Sequence, residues 1–97
     1  MPVSSETRHA DPAGAVEVTV RFFAAAAAAA GTDERVLTVP AGTTLAGLVE
    51  VLAASGPELA RVLPRCSYLC DEVAARDPDR PLRPGQTVDV LPPFAGG

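Results

Sequence analysis

The chain has 97 residues, enough for one domain, and carries a net charge of −4 from twelve acidic side chains against eight basic ones, all of them arginine. That acidic balance, with three phenylalanines and one tyrosine as the only aromatics, excludes the basic, aromatic-studded surface of a nucleic-acid binder. No apolar run is long enough to span a bilayer and no secretory h-region is present, so the expectation is a cytoplasmic protein with no membrane partner.

Residues 1–14 are polar and proline-containing, with almost no bulky apolar side chain to bury, and read as a flexible leader. The folded domain is expected over residues 15–91, a single modest core. Val16, Val18, Val20 and Phe22 alternate with Glu17, Thr19 and Arg21, the period of a half-buried strand. Phe23 is followed by seven alanines and Gly31, which predicts a short helix over 24–30 with a glycine C-cap. So short a helix needs the body of the protein to hold it.

Residues 34–39 predict a second strand paired with the first, and Pro40-Ala41-Gly42-Thr43 a turn. Thr43 or Thr44 then caps the main helix, whose Leu45, Leu48, Val49 and Leu52 fall on one stripe before Ser55-Gly56-Pro57 stops it. Leu59, Val62 and Leu63 add one more helical turn. Residues 67–71 predict a third strand, with Leu69 on one face and Tyr68 and Cys70 on the other, and residues 71–80 an exposed polar loop. Pro84 and Gly85 suit the centre of a type II turn, and residues 87–91 form the last strand with Val88 and Val90 inward.

The helix between strands two and three fits a crossover joining parallel neighbours. With the last strand beside the first, the whole is an α+β fold, a small mixed sheet grasping one main helix: the ubiquitin-like β-grasp.

Candidate chemistry is sparse. Cys66 and Cys70 lie four apart, about 13 Å along a strand against a limit of roughly 7 Å for a disulfide, and the only histidine, His9, sits in the leader, so no metal site is read. The paired carboxylates Asp71 and Glu72, or Asp77 and Asp79, belong to a solvated loop. No Ser or Cys has a visible base, and no phosphate-cradling glycine motif occurs, so nothing here makes a stand-alone enzyme.

The end of the chain is different. Leu91-Pro92-Pro93-Phe94-Ala95-Gly96-Gly97 leaves the last strand stiffly at its prolines and ends in two residues without side chains. Extended, residues 92–97 reach about 20 Å at roughly 3.3 Å per residue, far enough to enter a partner's active site. The chemistry on offer is the Gly97 carboxylate, ionised at neutral pH and a poor electrophile until activated.

The segments Val20-Arg21-Phe22-Phe23-Ala24 with Gly31, Val39-Pro40-Ala41-Gly42-Thr43-Thr44-Leu45, Leu82-Arg83-Pro84-Gly85 and residues 91–97 together resemble the ubiquitin-like sulfur carriers of the MoaD and ThiS type, most of all the small subunit of molybdopterin synthase. The resemblance covers residues 16–97. Two features depart from it: Cys70-Asp71-Glu72 stands where the family has an Asn-Gly type of turn, and the first helix lacks charged residues.

The resemblance implies that a ubiquitin-activating-like enzyme uses ATP to adenylate Gly97, that a sulfur donor protein converts it to a thiocarboxylate, and that the tail enters the large subunit of molybdopterin synthase. The carrier itself binds no cofactor. Gly97 carries the reacting atoms, Gly96 passes a narrow channel, Ala95 keeps bulk low, and Leu91, Pro92, Pro93 and Phe94 form the partner-binding root, with Phe94 seated in an apolar pocket of a partner or of its own body. Other outlets for the same tail are cysteine, thiazole or tRNA thiolation, a protein modifier, and an interaction module with an inert tail.

Overall fold

The structure is a computed structural model and describes residues 14–93. The strands are β1 (Ala15–Phe22), β2 (Glu34–Pro40), β3 (Ser67–Cys70), β4 (Val73–Ala74) and β5 (Thr87–Leu91). The helices are α1 (Ala25–Ala30), α2 (Leu45–Ala54) and α3 (Pro57–Val62), the last running into a 3₁₀ turn, Leu63–Arg65. One mixed sheet runs in the order β2-β1-β5-β3-β4. β1 and β5 are parallel neighbours at its centre, and β2 and β3 flank them antiparallel.

Alternation explains the centre. Val18, Val20 and Phe22 of β1 and Val88 and Val90 of β5 are buried on the helix-covered face, so these two strands need cover most. α2 supplies it through Leu45, Leu48 and Leu52, and Leu59, Leu63 and Ala26 close the same core. This is the expected β-grasp architecture. One topological expectation is corrected: β2 and β3 run parallel but are not neighbours, because β1 and β5 lie between them.

Of the two candidate caps, Thr44 is the one used. Its Oγ1 accepts the Gly47 N–H at 3.1 Å. The polar loop does more than the sequence suggested. The Arg80 carbonyl accepts the Leu45 N–H (3.3 Å), the Pro78 carbonyl accepts the Ala46 N–H (2.9 Å), and the Leu82 N–H donates to the Thr43 carbonyl (2.8 Å). The loop therefore satisfies N–H groups that the first turn of α2 leaves open, and it fixes one end of the helix to the sheet. Gly85 has φ +77° and the Gln86 N–H donates to the Arg83 carbonyl at 3.1 Å, in keeping with the expected turn.

Strand three ends at Cys70, one residue earlier than expected, because Asp71 and Glu72 take φ of +50° and +70° and reverse the chain into β4. Two consecutive positive φ values between the paired residues Cys70 and Val73 make the two-residue hairpin turn that Asn-Gly or Asp-Gly normally occupies. The departure in sequence thus leaves the turn's shape intact and puts strain into it. Asp71 recovers part of the cost: its Oδ1 accepts the Thr87 N–H at 3.0 Å, the chief reason its carboxyl sits below the usual range, and Arg83 lies 3.4 Å from its Oδ2. Among the described residues Glu72 accepts no such hydrogen bond, and only the charge of Arg21 acts on it from a distance. Left-handed backbone costs a non-glycine residue roughly 1–2 kcal/mol, and glycine's extra unfolded entropy returns part of that, so Glu72→Gly is expected to raise stability by about 0.5–1 kcal/mol. A higher urea midpoint with an unchanged slope is the measurement.

Tyr68 is half-buried on the inner face of β3 and its hydroxyl donates to the Leu63 carbonyl at 3.0 Å. Burial pushes its phenol up to about 12, with Cys66 adding to the shift. Since the fold favours the protonated form, its contribution is complete below pH about 10 and drains away as pH rises from there towards 12. With one tyrosine and no tryptophan in the chain, the phenolate absorbance reports this group alone. A midpoint well above the ordinary value is expected, and a midpoint near 10 would show the ring to be exposed.

Candidate functional site

The tail is rooted in the best-held strand of the sheet. β5 is hydrogen-bonded to β1 on one side and β3 on the other, and its last residue, Leu91, pairs with Ser67. Beside it the Phe23 N–H donates to the Val90 carbonyl at 3.2 Å, extending the β1 contact past the end of that strand. Leu91 and Pro92 are half-buried and Pro93 is exposed. The remaining tail residues read from the sequence, Phe94, Ala95, Gly96 and Gly97, lie outside the described residues, as do residues 1–13 of the leader. Gly14, the first described residue, accepts the Ala41 N–H through its carbonyl (3.3 Å).

Sequence reasoning missed what lies next to the root. On the sheet face away from the helices, two residues before Leu91, Asp89 is buried and grips Arg21 of β1 with both oxygens, at 2.7 Å to Nε and 2.9 Å to Nη2. The two residues are register partners across the central parallel pair. The Arg21 side chain is 39% exposed, the Asp89 side chain 5%. Their hydrogen bonds push the guanidinium further up from its already high pKa, so the arginine stays charged wherever the protein folds. A signal existed: an aspartate between two valines that point inward, opposite an arginine in the strand assigned as its neighbour.

Apolar and acidic groups share the face with the pair: Glu34 is Arg21's register partner on β2, and both it and Glu72 add to the negative field around the guanidinium. Phe23, 38% exposed, has its ring 5.8 Å from the Arg21 guanidinium, Val36 of β2 is 53% exposed, and Leu69 of β3 is half-buried on the same face. A face like this, with the exposed apolar side chains of Phe23 and Val36 set among charged ones and continuous with the tail root, has the mixed make-up of an interaction surface.

The thiols take no part. Cys66 and Cys70 are free and half-buried, as expected, and burial raises both pKa values, so neither is a ready thiolate at neutral pH. Among the described residues no helix is long and apolar enough to cross a membrane.

The sequence model described as the ThiS family matches residues 20–97. No curated protein matches the chain. Among solved structures, a Haloferax volcanii protein known from a solution structure shares 25% identity over 99% of this chain and 100% of its own, with a TM-score of 0.79. Small archaeal modifier protein 1 of the same organism shares 22% identity over 84% of this chain and 99% of its own, TM-score 0.74. Subunit 1 in the complex of subunits 1 and 2 of the Helicobacter pylori molybdopterin-converting factor matches at 23% identity over 84% of this chain and 100% of its own, TM-score 0.65.

Proposed function

The chain belongs to the ThiS family of small ubiquitin-like carriers, and from that premise we propose that it is the sulfur-donor subunit of a molybdopterin synthase, working through the carboxylate of Gly97. The observation that supports this reading most directly is where the tail begins: Pro92 and Pro93 follow directly on the central strand β5, beside a face that exposes Phe23 and Val36.

The chemistry follows from what a carboxylate lacks. A Gly97 oxygen attacks the α-phosphorus of ATP in an adenylating partner, pyrophosphate leaves, and the carboxylate becomes an acyl phosphate with AMP as leaving group. A persulfide on a sulfur donor protein attacks the acyl carbon and expels AMP, giving an acyl disulfide. A second thiol then cleaves the sulfur–sulfur bond, leaving a thiocarboxylate on Gly97 and a disulfide between the donor's thiol and its own. The large subunit receives the tail and supplies the side chains that move the sulfur to its pterin acceptor. The carrier's part is to deliver the atom in a fixed geometry. The Helicobacter pylori subunit 1, whose fold this chain shares, forms a complex with subunit 2, which supports a large-subunit partner here.

The test is the intact mass of the chain after incubation with an adenylating enzyme, ATP and a persulfide donor. The expected result is the gain that accompanies replacement of one oxygen by one sulfur, localised to Gly97, followed by its loss when a large subunit and pterin acceptor are added. Amide-linked adducts of the chain on other proteins would instead establish a modifier. A sulfurated chain that only a different acceptor can discharge would move it to another thiolation pathway.

A further inference from the structure

A second surface lies at the opposite end of the sheet from the tail root, separated from it by the length of β5, about 16 Å at roughly 3.3 Å per residue. Here the segment after β4 and the segment before β5 enclose a cleft of about 280 Å³. Its floor is apolar, with Leu45, Ala75 and Leu82, and its rim carries Arg76, Arg80 and Arg83. Three of the eight arginines of an acidic chain thus meet at one opening.

Two carboxylates also line the cleft, but both are engaged. Asp71 accepts from the Thr87 N–H and lies against Arg83, and Asp77 accepts the Asp79 N–H at 3.0 Å. The guanidinium groups of Arg76 and Arg80 have no acidic partner among the described residues. Leu45, the first residue of α2, brings the start of that helix to the cleft, with its first N–H groups already taken by the Arg80 and Pro78 carbonyls, so the positive charge of the rim is that of the arginines.

We propose that this cleft is a docking site for an acidic peptide segment of a partner protein, one apolar side chain resting on Leu45 and Leu82 while flanking carboxylates pair with Arg76 and Arg80. Charge complementarity selects the occupant: a basic segment would meet the arginines, and an apolar one would leave two desolvated guanidinium groups unpaired. A nucleic acid is the poorer fit, because no aromatic ring lines the cleft for bases to stack on and the chain as a whole repels phosphate. Because the cleft lies at the far end of β5 from the tail root, one protein can hold the carrier there while another takes Gly97. The proposal does not depend on what Gly97 carries.

Fluorescence anisotropy with the full chain tests it, using a short fluorescein-labelled peptide that alternates glutamate with leucine. Saturable binding is expected, weakened by added salt, reduced about tenfold or more by the double variant Arg76→Glu/Arg80→Glu, and unchanged by Arg61→Glu on the exposed side of α3. A chain lacking Gly97 must bind equally well, which separates this result from the fate of the carrier reading. Amide chemical-shift changes at Leu45, Ala75 and Leu82 would place the peptide in the cleft. Absence of saturable binding, equal loss in the Arg61→Glu control, equal binding of a lysine-for-glutamate peptide, or tighter binding of a labelled oligothymidylate would each overturn the proposal.

Discussion

A chain shortened by its last residue, Gly97, is expected to keep its melting temperature and lose sulfur delivery entirely. The core side chains all lie between Val18 and Val90, so nothing that holds the fold is removed. The shortened chain still ends in a glycine carboxylate, that of Gly96, and that group remains chemically capable of adenylation. Reach is what changes. The reacting atom stops about 3.3 Å short, and a misplacement of about 1 Å can already cost about a hundredfold in rate. The measurement is transfer of sulfur to the pterin acceptor with large subunit, adenylating enzyme and donor all present, alongside a thermal melt. Delivery at anything near the rate of the full chain would sink the proposed role of Gly97, whereas loss of both delivery and fold would place that residue in the structure.

The second large effect belongs to the helix that the sheet grasps. Leu48 is fully buried at the centre of the α2 stripe, between Leu45 and Leu52. Leu48→Ala removes buried methyl groups from the core that Leu48 shares with the valines of β1 and β5, and leaves a cavity there. The expected loss is about 2–5 kcal/mol, a large part of the roughly 5–15 kcal/mol that holds a domain together. At about 4–8 °C per kcal/mol for a domain of this size, the melting point falls far enough to reach physiological temperatures. Val51, on the same helix but 46% exposed, provides the comparison: Val51→Ala is expected to stay within about 0.5 kcal/mol of the parent. Similar losses at both positions would mean that α2 does not pack as described.

Those side chains were also where the sequence was easiest to read. Period-two alternation in β1 and a stripe of three leucines and one valine in α2 are set by burial itself, and burial leaves a mark on every residue it touches. Thr44 and Gly85 were legible because a cap and a positive φ each demand a particular kind of residue. The sheet order was only half legible. β5 beside β1 was a supposition that the β-grasp arrangement required, and the two strands between β2 and β3 could not be counted from a helix that spans them at any separation.

The two-residue β4 escaped notice because two residues are too short for any period, and its turn carries Asp71-Glu72 in place of a glycine. Likewise the tie between residues 78–82 and α2 runs through backbone groups, to which side-chain identity is blind. At the candidate site the root of the tail was legible from Pro92 and Pro93. The Arg21–Asp89 pair required a register that only the structure provides.

The central position of β5 has a mechanical side. A tail drawn into a partner's channel, as proposed, would pull along the axis of its strand, and that strand is laced on both edges, to β1 and to β3. The load then falls on all the ladder hydrogen bonds at once, in shear, instead of opening them one by one as it would for an edge strand such as β2. Force passes next into the Arg21–Asp89 clasp, which bridges two of the loaded strands close to the point of traction. A pull applied at Leu91 would thus be shared by the whole sheet, which makes the body of the domain a firm anchor for whatever its end engages.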